Sequence, residues 1–130
     1  MSAKARPAIQ VKRVYAAPAA HDGFRVLVDR LWPRGISRAA GKIDLWLKEI
    51  APSDGLRKRV HGDPAYPASD AAWVAFTVDY AAELAGPAAA AVRQVLDEVA
   101  RGPVTLLYAA KDEGRNNAVA LRDWLLGRLQ

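Results

Sequence analysis

The 130-residue sequence contains no cysteine, which excludes disulfide bonds, thiol nucleophiles and thiolate metal sites. Its two histidines, His21 and His61, stand outside any H-E-x-x-H pattern, so we expect no metal centre and no bound cofactor. No apolar run approaches the 18 residues of a membrane span, and residues 1–7 lack the apolar centre of a secretory signal. These absences predict a cytoplasmic protein that does not contact membranes.

Acidic residues are scarce in the first half of the chain. Residues 1–64 hold 13 Lys and Arg against 6 Asp and Glu, whereas residues 65–130 hold 6 against 8. A basic half attracts anions such as phosphates, nucleotides or nucleic acid. However, 13 of the 19 basic residues are Arg and alanine is abundant, as in proteins of GC-rich genomes. Nucleic-acid binding is therefore the weaker interpretation, though it is not excluded.

Short apolar runs predict the strands. Val26-Leu27-Val28 lies in a predicted strand that begins at Phe24, and residues 104–110 form an almost continuously apolar strand of the kind covered on both faces. Residues 9–15 predict a further strand, with imperfect alternation. Residues 42–50 fit a strand and a helix equally well, and we favour a strand because Ala51-Pro52 forces an extended exit.

Helical spacing and capping residues predict five helices. They cover residues 38–41, 54–60, about 70–85, 87–101 and 117–129, and their candidate caps are Ser37, Ser53, Ser69 or Asp70, and Asn116 or Asn117. Pro87 is expected to open the fourth helix. Trp73, Phe76, Tyr80 and Leu84 are expected to face the core from the third helix, and Leu129 from the last.

This order of elements predicts a single three-layer α/β domain, with a small, mostly parallel sheet and helices on both faces. Residues 1–8 are expected to be a flexible tail, and residues 9–130 the domain. The strands near Val26 and Leu106 are the most apolar, so we place them centrally and adjacent. Ligands of open α/β sheets bind outside the carboxyl ends of the strands, which places a candidate crevice there.

Charged and polar side chains cluster at the predicted strand ends. The candidate ligand-binding residues are Arg30, Trp32, Arg34, Lys48, Ser53, Lys111, Asn116 and Asn117. Arginine grips phosphate or carboxylate in a bidentate manner, tryptophan can stack on a ring, and a helix N-terminus favours an anion. Asp29 is the weak catalytic candidate, and the adjacent Arg30 should lower its pKa, which favours an electrostatic role over proton transfer.

The same residues also have structural interpretations. Asp29 would form an ion pair with Arg30 or Lys111, Trp32 would be core, and Ser53 and Asn116 or Asn117 would be helix caps. No G-x-S-x-G elbow surrounds Ser53, and neither a P-loop nor G-x-G-x-x-G occurs. His61 is expected to belong to a surface loop.

Three blocks of the sequence resemble the signature of the YeaO-like family, domain of unknown function 488. They are Val28-Asp29-Arg30-Leu31-Trp32-Pro33-Arg34-Gly35, Asp44-Leu45-Trp46-Leu47-Lys48-Glu49-Ile50-Ala51-Pro52-Ser53 and Thr105-Leu106-Leu107-Tyr108-Ala109-Ala110-Lys111-Asp112. The resemblance spans residues 9–126 and implies a small cytosolic α/β protein of bacteria and archaea, without an established activity or catalytic residue. The chain departs from the family pattern at residues 38–41 and 66–71, which we expect to lie away from the crevice.

Three functions remain open at this level. The first is binding of a small anionic, phosphate- or nucleotide-like ligand, with or without a reaction on it. The second is a structural or partner-binding protein in which the same charges form an ion-pair network. The third is a nucleic-acid-binding module, for which binding should weaken steeply with salt. The sequence alone specifies neither a reaction nor an oligomeric state.

Overall fold

The computed structural model describes residues 8–129. They contain a four-stranded, all-parallel sheet. The strands are β1 (Ile9–Arg13), β2 (Phe24–Leu27), β3 (Leu45–Trp46) and β4 (Val104–Tyr108), in the order β1-β4-β2-β3. β2 and β4 are adjacent and central, paired from Phe24 with Val104 to Leu27 with Leu107. The predicted α/β fold and the placement of its two most apolar strands are confirmed.

Five α-helices accompany the sheet in residues 8–129. They are α1 (Arg38–Gly41), α2 (Asp54–His61), α3 (Asp70–Ala85), α4 (Ala89–Arg101) and α5 (Asn117–Arg128). The side chains of Ser37, Ser53, Ser69 and Asn116 accept hydrogen bonds from backbone N–H groups in the first turns of α1, α2, α3 and α5, as capping predicts. Pro87 lies in the turn before α4 and does not open the helix, so that prediction is wrong by two residues.

One face of the sheet carries the main core, beneath α2 to α5. Side chains of β2 and β4 pack there against the apolar faces of the helices, including Phe76, Tyr80, Leu84, Val95, Leu121 and Leu125. Trp73 packs against this core while partly buried. Leu129 is 39% exposed because it follows the last turn of α5, so its predicted place in the core is wrong.

The other face of the sheet has a thinner cover. Val14, Leu27, Ile43 and Leu107 are buried there, with Trp32, Ile36 and Trp46 packed against them. α1 approaches this face through Gly41, whose carbonyl accepts a hydrogen bond from Arg25 Nη2 at 2.8 Å. The domain therefore has three layers, and the second cover consists mainly of loops.

A buried ion cluster holds this second cover to the sheet. Asp22 is fully buried and pairs with Arg25 Nη1 at 2.5 Å and with Lys12 Nζ at 3.0 Å. Burial alone would raise the pKa of Asp22, but hydrogen bonds from the Ala19 N–H, Lys12 and Arg25 outweigh it and lower that pKa. This buried role of Asp22 was not predicted from the sequence.

The ambiguous segment 42–50 combines both of its patterns. Only Leu45 and Trp46 pair with β2, after which a 3-10 helix runs over Lys48–Ile50. The hydroxyl of Tyr80 donates to the Ile50 carbonyl at 2.6 Å and fixes the end of this turn. The strand prediction therefore holds for two residues, and the 3-10 turn carries Lys48 away from the strand direction.

The predicted flexible tail over residues 1–8 lies outside the described residues except for Ala8. The Ala8 carbonyl accepts a hydrogen bond from Val104 N–H at 2.9 Å. Ala8 therefore extends the pairing of β1 with β4 by one residue.

Candidate functional site

A cavity of about 670 Å³ lies at the carboxyl ends of the strands. Its walls include Tyr15 after β1, residues 29–34 after β2 and residues 109–112 after β4. α2, α3, α5 and the loops before α3 and α5 contribute Arg57, Val60, His61, Tyr66, Pro67, Phe76, Arg115, Asn116 and Asn117, and the segment before α2 adds Ala51 and Pro52. The volume falls within the range of about 300–1,000 Å³ typical of small-molecule sites.

Asp29 lies in this cavity directly beyond β2. Its Oδ2 accepts a hydrogen bond from Ala109 N–H at 2.9 Å, and its Oδ1 accepts one from Asn117 Nδ2 at 3.0 Å. Burial raises the pKa of Asp29, and these two hydrogen bonds and the charge of His61 only partly oppose that effect. The predicted lowering of this pKa by Arg30 is wrong, because the Arg30 side chain takes other partners.

Arg30 reaches the segment that precedes α2. Its Nη2 donates to the carbonyl of Ala51 at 3.2 Å and lies 3.4 Å from that of Pro52. Its Nε is buried without a hydrogen-bond partner, and so is the Nε of Arg57. Within residues 8–129, these are the two buried side-chain polar atoms that lack a partner, and both belong to side chains that line the cavity.

Three further cations line the cavity, and they differ in how far they are already engaged. Arg115 donates to the carbonyls of Pro67 and Ala68 and pairs with Asp70 at 2.6 Å. Arg34 and Lys111 are exposed, and the ion pairs found in residues 8–129 include neither side chain. Five cations therefore face two carboxylates, Asp29 and Asp112, in the lining.

The structure brings most of the predicted site residues together. Those that line the cavity are Asp29, Arg30, Trp32, Arg34, Lys111, Asn116 and Asn117. Lys48 is not among them, because it starts the 3-10 turn and its Nζ lies 5.4 Å from the centroid of the Trp46 ring. Ser53 is also outside the lining, and its Oγ donates to Glu83 Oε2 at 2.6 Å while capping α2.

Two of the lining residues also serve the local fold. Trp32 packs edge-on against Trp46, with ring centroids 5.3 Å apart, and donates from Nε1 to the Ile36 carbonyl at 2.7 Å. Asn116 caps α5 through Val119 N–H and donates to the Asp112 carbonyl, both at 2.9 Å. Their structural interpretations therefore hold alongside their position in the cavity.

Sequence reasoning missed the contribution of α2 and the loop that follows it. Arg57 and His61 line the cavity from one face of α2, where their spacing of four residues places them. His61 was assigned to a surface loop, yet it is the last residue of α2. Tyr66 and Pro67 also line the cavity, so the expectation that residues 66–71 lie away from the crevice is wrong for these two.

The chemical groups in and around the cavity are mainly cationic and apolar. Ser53 Oγ is hydrogen-bonded to a carboxylate that also accepts from the Ser53 N–H at 2.8 Å, which is the arrangement of a helix cap. Groups of three or more His, Asp or Glu side chains placed to hold a metal ion do not occur in the described part of the chain. The cavity instead combines cationic groups with an apolar lining that includes Tyr66 and Phe76.

The structure is a small parallel α/β domain with a cavity at the carboxyl ends of its strands. A family model described as "Inactive DUF488-N3 subclade" matches residues 8–130. The chain belongs to this family, which confirms the resemblance seen in the sequence blocks.

Similar proteins have names that carry no activity. "Uncharacterized protein YeaO" of Escherichia coli (strain K12) is 44% identical over 117 residues, covering 90% of this chain and 96% of that protein. "Uncharacterized protein Rv3073c" of Mycobacterium tuberculosis is 36% identical over 120 residues, covering 92% and 95%. No solved structure gives a significant match. In residues 8–129, no helix has both the length and the apolar character needed to cross a bilayer.

Proposed function

We propose that the cavity binds a small anionic, phosphate- or nucleotide-like ligand. The observation that carries this proposal is the group of five cationic side chains that line one cavity of about 670 Å³, those of Arg30, Arg34, Arg57, Lys111 and Arg115. A hydrogen bond to a charged group contributes about 1.5–3 kcal/mol, and an anion in the cavity would accept such bonds from these side chains. Arginine is the side chain best suited to phosphate and carboxylate groups.

The surroundings of these arginines support an anion further. Arg34 and Lys111 add positive charge at exposed positions of the lining. α5 starts at Asn117, also in the lining, and the first N–H groups of a helix favour negative charge. Apolar side chains such as Val60 and Phe76 would take the organic part of a ligand larger than phosphate.

Binding without turnover fits the family better than catalysis. The matching family model carries the word "inactive" in its description. Asp29, the candidate acid or base, is already held by Ala109 N–H and Asn117. We therefore propose a binding or sensing role. We place it in the cytoplasm, because a chain without cysteine fits a reducing compartment.

Calorimetry and thermal-shift measurements with inorganic phosphate, pyrophosphate, AMP and ADP test this proposal. Binding of at least one of these anions should raise the melting temperature with its concentration. Lys111→Ala should weaken that binding about tenfold, the loss of one charged contact. Lys48→Ala is the matched control, because Lys48 is an exposed lysine outside the lining, and it should bind as the wild type does.

Arg30→Lys complements this pair, since it keeps the charge but removes the fork of guanidinium donors. We expect it to weaken binding more than Lys48→Ala does. Absence of binding for all four anions would contradict the proposal, and so would equal losses in Lys111→Ala and Lys48→Ala.

The structural or partner-binding alternative draws on the contacts that Asp29 and Arg115 already make within the chain. The cavity counts against it, because a pure ion-pair network would leave no open volume between the strand ends. Nucleic-acid binding draws only on the basic residues of the first half of the chain. Binding to DNA or RNA that does not weaken with salt, or the absence of such binding, would exclude this alternative.

A further inference from the structure

Asp29 sits among cations without pairing with any of them. The salt bridges found in residues 8–129 do not include Asp29, although five cationic side chains line the same cavity. Arg30, its neighbour in the chain, is directed to the carbonyls of Ala51 and Pro52. The Asp29 carboxylate therefore lies in the same cavity as these cations without forming an ion pair with any of them.

The second carboxylate of the lining is committed to its own loop. Asp112 Oδ1 accepts from Gly114 N–H at 2.9 Å and from Arg115 N–H at 2.8 Å, which closes the turn before α5. Asp29 also accepts two hydrogen bonds, one on each oxygen, but it is partly buried in the cavity, whereas Asp112 is exposed. Because an ionised carboxylate has about four acceptor positions, each oxygen of Asp29 retains one for a ligand.

The chemistry of the missing partner follows from the charge around it. A ligand group that occupies the free acceptor positions of the Asp29 carboxylate must donate hydrogen bonds. A cationic ammonium would be repelled by the lining cations that form no ion pair within residues 8–129, which are Arg30, Arg34 and Lys111, whereas a hydroxyl donates without adding positive charge. Burial raises the pKa of Asp29 by partly removing its charge from water, and hydrogen-bond donors from a ligand would stabilise that charge.

We propose that the ligand is a phosphate ester with free hydroxyl groups, bound with its hydroxyls on Asp29 and its phosphate towards Arg30, Arg57 and Lys111. This inference rests on the proposed function and narrows its ligand class. A sugar phosphate and the ribose phosphate of a nucleotide share this chemistry. Asp29 then selects polyol esters over bare phosphate and over deoxygenated analogues.

Calorimetry on the wild-type protein tests the selection directly. AMP and 2′,3′-dideoxy-AMP have the same base and phosphate and differ only in the two hydroxyls. Ribose 5-phosphate and 2-deoxyribose 5-phosphate form a second pair without a base. We expect the hydroxylated member of at least one pair to bind about tenfold to a hundredfold more tightly, the value of hydrogen bonds to a charged group.

The two pairs distinguish the source of the ligand. Selectivity in the AMP pair indicates a nucleotide, whereas selectivity only in the base-free pair indicates a sugar phosphate. In Asp29→Asn the affinity ratio of the selective pair should fall towards one. A purely structural Asp29 would lower the melting temperature of this variant and leave the ratio unchanged.

The wild-type comparison decides the matter even if Asp29→Asn does not fold. Equal affinities within both pairs, with phosphate or pyrophosphate still bound, would overturn this inference and leave the proposed function standing. Absence of binding for every anion would instead overturn the proposed function itself.

Discussion

Asn117 joins the start of α5 to the end of β2 through Asp29. Its Nδ2 donates to Asp29 Oδ1 at 3.0 Å and to the carbonyl of Val28 at 3.1 Å. Since Ala109 N–H holds the other oxygen of Asp29, this one carboxylate connects β2, the end of β4 and α5. The arrangement fixes a lining side chain on rigid elements, which is the basis of a preorganised site.

Asn117→Asp should destabilise the protein more than Asn117→Ala. The alanine variant loses hydrogen bonds to buried acceptors, at about 1–3 kcal/mol, whereas the aspartate variant adds repulsion between two carboxylates. That repulsion raises both pKa values in the folded state, so the extra loss should shrink as pH falls through them. Urea unfolding at pH 7 and pH 5 measures this, with the exposed Gln94→Asp as control. Equal destabilisation of the Ala and Asp variants at both pH values would contradict the expected repulsion between the two carboxylates.

Asp22→Asn should cost about 3–5 kcal/mol, the usual effect of removing one partner of a buried ion pair. The contribution of Asp22 is fully present above the ordinary aspartate pKa of 3.8 and is lost as pH falls below it, because its folded pKa is lowered. Denaturant unfolding of the variant should therefore show a loss of stability at pH 7 that diminishes in stronger acid. Glu98→Gln, which removes an exposed pair with Arg101, is the control and should cost under about 1 kcal/mol.

Ser53→Ala tests whether this serine is a cap or a ligand contact. It loses the cap on Leu56 N–H and the hydrogen bond to Glu83, so we expect a loss of about 1–2 kcal/mol and unchanged anion binding. Ser37→Ala removes an exposed cap on the four-residue α1 and should cost less. Weaker anion binding in Ser53→Ala at unchanged stability would return Ser53 to the site.

Gly23→Ala should be among the most damaging small substitutions. Gly23 has φ +66°, and a Cβ there would lie 2.2 Å from the carbonyl oxygen of Pro103, which accepts the first β2 hydrogen bond from Phe24. We expect a loss of about 3 kcal/mol or more in chemical unfolding. Gly55→Ala in α2 meets no atom within 4 Å and should instead stabilise by about 0.5–1 kcal/mol. A neutral Gly23→Ala would show that the β2–β4 approach is looser than described.

The sequence determined most of the fold because its signals were local. The apolar run around Leu106, the N-cap serines and Asn116 each specify a structure from neighbouring residues alone. Residues 42–50 were ambiguous because both periodicities coincide there, and the contact between Tyr80 and Ile50 that fixes the turn is remote in sequence. The burial of Asp22 also depends on partners from two different strands.

The sequence predicted where the candidate site lies better than it predicted which residues line it. The carboxyl ends of parallel strands lie at one edge of an α/β sheet, so the sequence alone predicts that Arg30, Arg34 and Lys111 lie close together. His61 joins them only because α2 folds over that edge, a tertiary relationship that local pattern does not encode. The predicted lowering of the Asp29 pKa was wrong for a similar reason. Arg30 is adjacent to Asp29 in the chain, but its side chain binds other partners.

The order of strands has a consequence for how the chain can acquire its structure during synthesis. β1 is made first, yet the strand that pairs with it in the sheet is β4, with Ile9 opposite Val104. β4 also separates β1 from β2, so the ribosome must release nearly the whole chain before the sheet can close. Sheets built from such distant pairings fold slowly and expose apolar strands meanwhile. A nascent chain that stops before residue 104 therefore lacks the strand that joins β1 to β2, and within the observed sheet it can pair only β2 with β3.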